Sequence, residues 1–336
     1  MRPWTEDDDP RDGGRTRPDK IDPRDLLPPQ PDDEEGPHRH PHRQSEPGKP
    51  PYVGIVGAGA VGTALGVALQ RAGWPVIAVA SRDADRRARF VASVPGVRAF
   101  AEATALLDEV ELVILAVPDD AIAEVADQVR LYGGQALVHT SGLLGPEVLQ
   151  PAMAAGTQIG TFHPLVAFAD TERAVAALRG ATIAVEGDDD LVALLADMAE
   201  AIGGVAVRLT PGSKPAYHAA AVLAAGGVVA LLDAIVRLGA VAGLDEPAAL
   251  DVYLPLVRQT LANAEALGVR AALTGPFTRG DSGTLDAHLA ALRAHAPDVL
   301  ELYRAAGRRE LALAEARGVL APEAARRLAH SLAMVD

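Results

Sequence analysis

The sequence predicts an α/β doubly wound sheet followed by an all-helical C-terminal domain. Three observations carry that expectation. From residue 51 to residue 210, short Val/Ile-rich runs alternate with helical patterns. The first run leads into a glycine loop, Gly57-Ala58-Gly59-Ala60-Val61-Gly62, that opens a helix. After Pro211 the strand signal stops and helical periodicity alone remains.

The elements follow in order. Strands are expected over 52–56, 76–80, 111–117, 135–139, 158–162 and 181–185, with a weaker one over 205–208 and a short one over 97–100. Helices are expected over 60–72, 84–93, 120–130, 145–155 and 189–202. The first helix places Val61, Leu65, Ala68, Leu69 and Ala72 on one side, which marks its buried face. Later helical segments fall at 215–242, 247–267, 284–294, 297–317 and 322–333, with a polar loop around 273–281. Three regions result: a tail over 1–50, a dinucleotide-binding Rossmann-like domain over 51–210 and a helical domain over 211–336.

Composition bounds the function classes. At 336 residues the chain is long enough for two cores, and 49% apolar residues fit a globular protein. A net charge of −14 argues against a nucleic-acid partner. Cysteine is absent, which excludes disulfides, thiolate catalysis and Cys-based metal sites. The longest apolar run, 219–236, contains Asp233 and reads as a buried helix rather than a membrane span. The first residues lack the apolar core of a secretory signal, and the expected location is cytoplasmic. Residues 1–50 hold 11 prolines, 13 acidic and 9 basic residues, too few aliphatics to offset ordering, so a disordered polar tail is expected. His38, His40 and His42 in that tail could bind a metal only adventitiously, and no metal site is expected elsewhere.

The glycine loop carries the firmest chemistry. Gly57 allows the tight turn, Gly59 removes a side chain where backbone must approach a pyrophosphate, and Gly62 lets the helix lie close on the strand. Free N–H groups of Ala58, Ala60 and Val61 at the helix mouth would face the phosphates. At the tip of the second strand stand Ser81 and Arg82, a hydroxyl and a fixed cation suited to a ribose 2′-phosphate. That pair predicts NADP (NADPH) over NAD. Asp83 follows one or two positions late and could equally cap the next helix.

Further strand-end loops would face the same ligand. Val117 and Pro118 end the fourth strand, and Asp119 or Asp120 could cap the helix after it. His139-Thr140-Ser141-Gly142 and Thr161-Phe162-His163-Pro164 end two more. Ser141 is a cofactor-contact candidate, and His139 a substrate-binding candidate that could instead orient Ser141 or contact the nicotinamide. His163 is the preferred acid–base residue of this domain; a structural histidine fixed by the following proline is the alternative. In the helical domain Lys214 and His218 are four residues apart and share a helix face. Lys214 could stabilise an alkoxide or hold a carboxylate, and His218 could donate a proton. Thr274, Arg279 and Asp281 form a substrate-binding group in which Arg279 suits a carboxylate and the other two position it or cap a helix.

On these motifs, together with Ala116 through Asp120, Tyr217 through Ala221 and Thr274 through Asp281, residues 51–333 resemble a bacterial family with a Rossmann-like N-terminal domain and a DUF2520 C-terminal domain. That family pattern has Asn near the middle of the helix after His218, where this chain has Gly226 and Gly227. The architecture is more distantly similar to ketopantoate reductase, pyrroline-5-carboxylate reductase, prephenate dehydrogenase and 6-phosphogluconate dehydrogenase. Lys214 roughly matches the lysine position of the ketopantoate branch, within a different local motif. The resemblance implies NADP-linked redox chemistry and a homodimer built through the helical domain. The resulting expectation is an NADP-dependent oxidoreductase acting on a small polar, carboxylate-bearing carbonyl or imine, or the reverse. The competing expectations are an NADP-binding sensor or scaffold without turnover, and a degenerate loop serving only structural dimerisation.

Overall fold

A computed structural model of the chain describes residues 43–334. The expectation of a disordered tail therefore falls, for residues 1–42 and their histidines, outside the described residues. Residues 43–50 are described, and they lie against the start of the sheet. Ser45 donates through N and Oγ to Glu111 at 3.0 and 3.2 Å, and Tyr52 N donates to the same carboxylate at 2.9 Å. The Arg43 guanidinium sits 4.5 Å from the centre of the Tyr52 ring.

The chain divides into two compact units between Leu209 and Thr210. In the first, the elements are β1 (Val53–Val56), α1 (Ala60–Arg71), β2 (Val76–Ala80), α2 (Ala84–Ser93), β3 (Arg98–Phe100), β4 (Leu112–Leu115), α3 (Asp119–Gln128), β5 (Ala136–His139), β6 (Gln158–Pro164), α4 (Thr171–Ala177), β7 (Thr182–Glu186), α5 (Asp189–Ala201) and β8 (Val205–Arg208). One sheet orders them β3-β2-β1-β4-β5-β6-β7-β8. Every neighbouring pair is parallel except β6 and β7. Strand order reverses between β1 and β4, which opens a crevice beyond their carboxyl ends.

Alternation along the central strands builds a core on each face. Val53, Ile55, Leu112 and Ile114 pack with Leu65 and Leu69 of α1 and Leu191, Leu195 and Met198 of α5. Val56, Val113 and Leu115 face the other way, against Leu106, Ile122 and Leu149. Helix ends are marked by side-chain caps: Asp83, Asp170 and Asp188 accept backbone N–H bonds at the starts of α2, α4 and α5.

Several local expectations change. The segment expected to be a helix over 145–155 is a 3₁₀ turn over Pro146–Ala152, because Pro151 lacks the N–H that an α-helix needs there. Another 3₁₀ turn, Thr104–Glu109, and the short α4 carry too little periodicity to stand out in sequence. β6 runs three residues past its last pairing with β5, at Thr161, and there pairs antiparallel with β7.

The second unit is helical: α6 (Lys214–Val222), a π turn (Leu223–Gly227), α7 (Val228–Val241), α8 (Glu246–Leu267), α9 (Val269–Ala272), α10 (Pro276–Arg279), α11 (Ser282–His295), α12 (Pro297–Ala316) and α13 (Pro322–Ala333). The loop expected over 273–281 thus contains a helical turn. Phe277, Leu285, Leu289, Leu311, Leu328 and Leu332 form its main core, and α7 joins a second cluster through Ala234 beside Leu292 and Val299. Gly239 lets α7 and α8 close on each other, since a Cβ there would meet the Ala249 Cβ at 2.8 Å.

The reading of 219–236 as a buried helix is overturned. Lys214–Val241 is one helix long and apolar enough to cross a membrane, yet only 6% of its most apolar window is buried. Leu223 is 72% exposed and Val229 65% exposed. Hydropathy reports an apolar side chain, not what covers it, and in this unit α7 is covered along one side only.

Gln135 offers a test of the first unit. Its buried amide donates to the carbonyls of Leu107 and Val110 at 2.6 and 2.7 Å and accepts from Tyr132 N at 2.8 Å. Gln135→Leu leaves three backbone groups without these partners and is expected to cost about 3 kcal/mol. Urea denaturation measures it; an unchanged midpoint would show that water replaces the amide freely.

Candidate functional site

The crevice at the strand-order reversal is lined by the glycine loop, and each glycine has its own steric reason. Gly57 has φ +108°, and a Cβ there would meet the Ala116 carbonyl oxygen at 2.2 Å. At Gly62 a Cβ would meet the Gly57 carbonyl oxygen at 2.0 Å and the Ala116 Cβ at 3.2 Å. A Cβ at Gly59, by contrast, would find nothing within 4 Å. Two of the glycines are therefore demanded by packing inside the protein, while Gly59 faces open space.

The mouth of α1 is left without a side-chain cap. Gly59 is its N-cap, and no acidic residue lies in its first turn. The neighbouring α2, α4 and α5 each receive an aspartate there. The first N–H groups of α1 and the positive end of its dipole thus remain available for phosphate oxygens. Ala58 turns its methyl into the core and offers only backbone; Ala60 is exposed and Val61 half-buried beside the core.

Ser81 and Arg82 follow β2 at the same edge, with Ser81 N held by the Phe100 carbonyl at 3.1 Å. Arg82 is exposed. Asp83 caps α2 through Arg86 N at 3.0 Å, and that bond holds its carboxyl below the usual range. The two readings left open for Asp83 are thereby separated, since its Oδ1 serves the helix. Arg87 donates to the Ser81 carbonyl and ties the strand tip down. No sequence pattern marked Arg87; its role depends on the turn that α2 makes after Asp83.

After β4, Val117 is half-buried and Pro118 exposed, and neither Asp119 nor Asp120 caps α3. Asp119 instead accepts from Ser141 Oγ at 2.8 Å. Ser141 Oγ also accepts from the N–H groups of Leu143 and Leu144 at 3.1 and 3.0 Å. Beside it His139 is fully buried: Nδ1 accepts from Ser141 N at 3.2 Å, and Nε2 lies 3.0 Å from the Gly145 carbonyl. An acceptor at Nδ1 and a carbonyl at Nε2 require the neutral Nε2–H tautomer. His139 and Ser141 therefore shape the loop over 139–145, with their polar atoms turned into it. His163 lies on the part of β6 that overhangs β5, half-buried at the carboxyl edge. Two residues earlier on the same side of the strand, Thr161 donates to Glu186 at 3.1 Å.

The helical unit holds the remaining candidates. Lys214, the first residue of α6, is 2% exposed. His218 stands one turn later and is half-buried beside Tyr217, whose phenol is pushed up by burial. Arg279 and Asp281 flank Gly280, which ends α10 in the left-handed region at φ +70°. Asp281 caps α11, accepting from Thr284 N and Oγ1 at 3.0 and 2.7 Å. Those two bonds lower its pKa most, and Arg279 and His288 lower it further. Thr274 and Arg279 are both exposed.

Sequence reasoning missed His288 and Tyr303. They meet between α11 and α12, with Nδ1 and Oη 2.8 Å apart and the rings edge-on at 85°. His288 lies seven residues after Asp281, two helical turns along one face, and that spacing was the available signal.

A Rossmann-like domain model matches residues 40–164, and the Domain of unknown function (DUF2520) model matches 181–310. The structure of protein TM1727 from Thermotoga maritima is 28% identical with a TM-score of 0.61, covering 79% of this chain and 99% of that one. A Bacteroides fragilis protein, BF3122, assigned provisionally as an NADP oxidoreductase, is 23% identical with a TM-score of 0.66, over 78% and 98%. Plasmodium falciparum pyrroline carboxylate reductase, solved with NADP bound, shares the fold at 13% identity and a TM-score of 0.53, over 79% and 98%. No curated protein matches the sequence.

The glycine geometry predicts opposite outcomes for two identical substitutions. Gly62→Ala is expected to destabilise the fold by about 3 kcal/mol through overpacking against backbone. Gly59→Ala is expected to stay within about 1 kcal/mol of wild type, as its only local change is at a helix N-cap. Equal thermal shifts for the two would contradict the packing assignment.

Proposed function

We propose that this Rossmann-like, DUF2520-containing chain is an NADP-dependent oxidoreductase for a small polar substrate bearing a carboxylate. The observation that carries the reading is the uncapped, acid-free mouth of α1 beneath Gly59, the one loop glycine whose Cβ position is open. Arg82 at the tip of β2 supports NADP over NAD, because Asp83, the nearby acid that could hold a ribose hydroxyl, is engaged as a helix cap. NADP in the pyrroline carboxylate reductase of the same fold is consistent with that choice.

When bound, the dihydronicotinamide supplies the hydride, and the protein supplies position and protons. The His139–Ser141–Asp119 network fixes the loop after β5 at the carboxyl edge of the sheet. We assign to His163 the proton that accompanies hydride transfer, with Lys214 and His218 stabilising the developing charge and Arg279 holding the carboxylate. Buried lysines and half-buried histidines are suited to such work because desolvation strengthens their fields.

Cofactor titration tests the reading. NADPH is expected to bind at least tenfold tighter than NADH, Arg82→Ala to remove most of that difference, and Gly59→Ala to weaken NADPH at least tenfold. Equal affinities for the two dinucleotides would sink the assignment. NADPH binding without oxidation by any 2-oxo or imino acid would favour a sensor instead.

A homodimer through the helical unit belongs to the same reading. Its support is the exposed apolar surface of α6 to α8, with Leu223, Val229, Leu256 and Leu261 each at least 60% exposed. Sedimentation of the full chain at about micromolar concentration is expected to give a dimer, and Leu223→Asp with Val229→Asp a folded monomer. A wild-type monomer under those conditions would remove the dimer.

A further inference from the structure

Helices α11 and α13 leave a cleft of about 520 Å³ between them on the helical unit. No apolar side chain lines it. Ser282 and Asp286 come from α11, and Glu323, Arg326, Arg327, His330 and Ser331 come from α13. Helical spacing builds that wall. Ala325, Leu328 and Leu332 pack in the core with Leu285 and Leu289 of α11, so positions 323, 326, 327, 330 and 331 fall outside the apolar stripe. Gly280 lets the start of α13 come close, since a Cβ there would meet the Ala324 Cβ at 2.8 Å.

Two carboxylates and two guanidiniums share the cleft, yet they do not neutralise one another. Glu323 stands three and four residues before Arg326 and Arg327, the order and spacing in which a helix readily closes an ion pair. Neither pair forms. Among the described residues, the side chains of Asp286, Glu323, Arg326 and Arg327 have no ion-pair or hydrogen-bond partner. Charges of both signs therefore face one concave surface, with the hydroxyls of Ser282 and Ser331 and the His330 ring beside them.

We propose that this cleft binds a small zwitterion of the α-amino acid class, its carboxylate on Arg326 and Arg327 and its ammonium on Asp286 and Glu323. A simple anion entering the cleft would meet the two carboxylates, and a simple cation the two guanidiniums, so repulsion offsets attraction for either. A molecule carrying both charges a few bonds apart satisfies both sets, and its second contact becomes intramolecular once the first has formed. The planar forks of the arginines suit the two oxygens of a carboxylate. With no apolar surface in the lining, a short polar side chain fits best, and the serine hydroxyls can hydrogen-bond to it. The site uses none of the residues assigned to cofactor or substrate, and it stands independently of that reading.

L-Serine is the probe, with acetate and ethylammonium as controls that carry one charge each. Calorimetric titration of the full-length protein is expected to give serine a Kd of about 1 mM or tighter, at least tenfold below either control. The double variant Arg326→Gln with Arg327→Gln, and separately Asp286→Asn, should each weaken serine at least tenfold. These side chains are exposed, so the melting temperature of each variant should stay within a few degrees of wild type. The His330 imidazole resonances report where serine sits. They are expected to move on titration of the wild type and to stay in place in the arginine double variant. Serine binding no tighter than acetate or ethylammonium marks a generally charged surface and overturns the site. Serine affinity retained in either variant, or unmoved His330 resonances at saturation, overturns it as well.

Discussion

The close approach of α1 to β1 and β4 is the constraint on which the first unit depends. Gly57 and Gly62 permit it, because any Cβ at either position would run into backbone at about 2 Å. With α1 held there, Leu65 and Leu69 reach the face of the sheet that carries Ile55 and Ile114. The same contact sets the mouth of α1 at the strand-order reversal, with its first N–H groups uncapped. Internal packing thus draws on Gly57 and Gly62, and the proposed anion contact on Gly59. Gly59 contributes nothing to internal packing, and its cost in backbone entropy is offset only if something approaches from outside.

Around that mouth the polar residues divide between holding the loops and facing outward. Asp83, His139, Ser141 and Asp119 are all consumed by local hydrogen bonds. Their chemistry is spent on holding these loops in place. Arg82 is left exposed, and the proposed cofactor preference follows from that contrast rather than from the strand-tip residues taken singly.

The helical unit follows another logic. Its inner core rests on α10 to α13, while α6, α7 and α8 display much of their apolar surface. Leu223 and Val229 stay uncovered there, and that surface is the support for the proposed dimer. The π turn at Leu223–Gly227, which ends on Gly226 and Gly227, lies in the middle of this surface. A π turn shifts helical phase, so the faces of α6 and α7 are not in the register that a straight helix would give.

The sequence by itself determined the order and kind of nearly every long element. It also marked the glycine loop by its place between a strand and a helix, although the steric demand at Gly57 comes from Ala116 in a distant part of the chain. It left Asp83 undecided between cap and ligand, because both uses need the same residue at the same place. Tertiary structure decided that question through the Arg86 N–H. It also turned β7 antiparallel, uncovered 219–236, engaged His139 in its own loop and brought His288 to Tyr303 from fifteen residues away. The physical reason is common to all of these. Propensity and periodicity say what a segment is, whereas which atoms satisfy a side chain depends on neighbours that only the folded chain supplies.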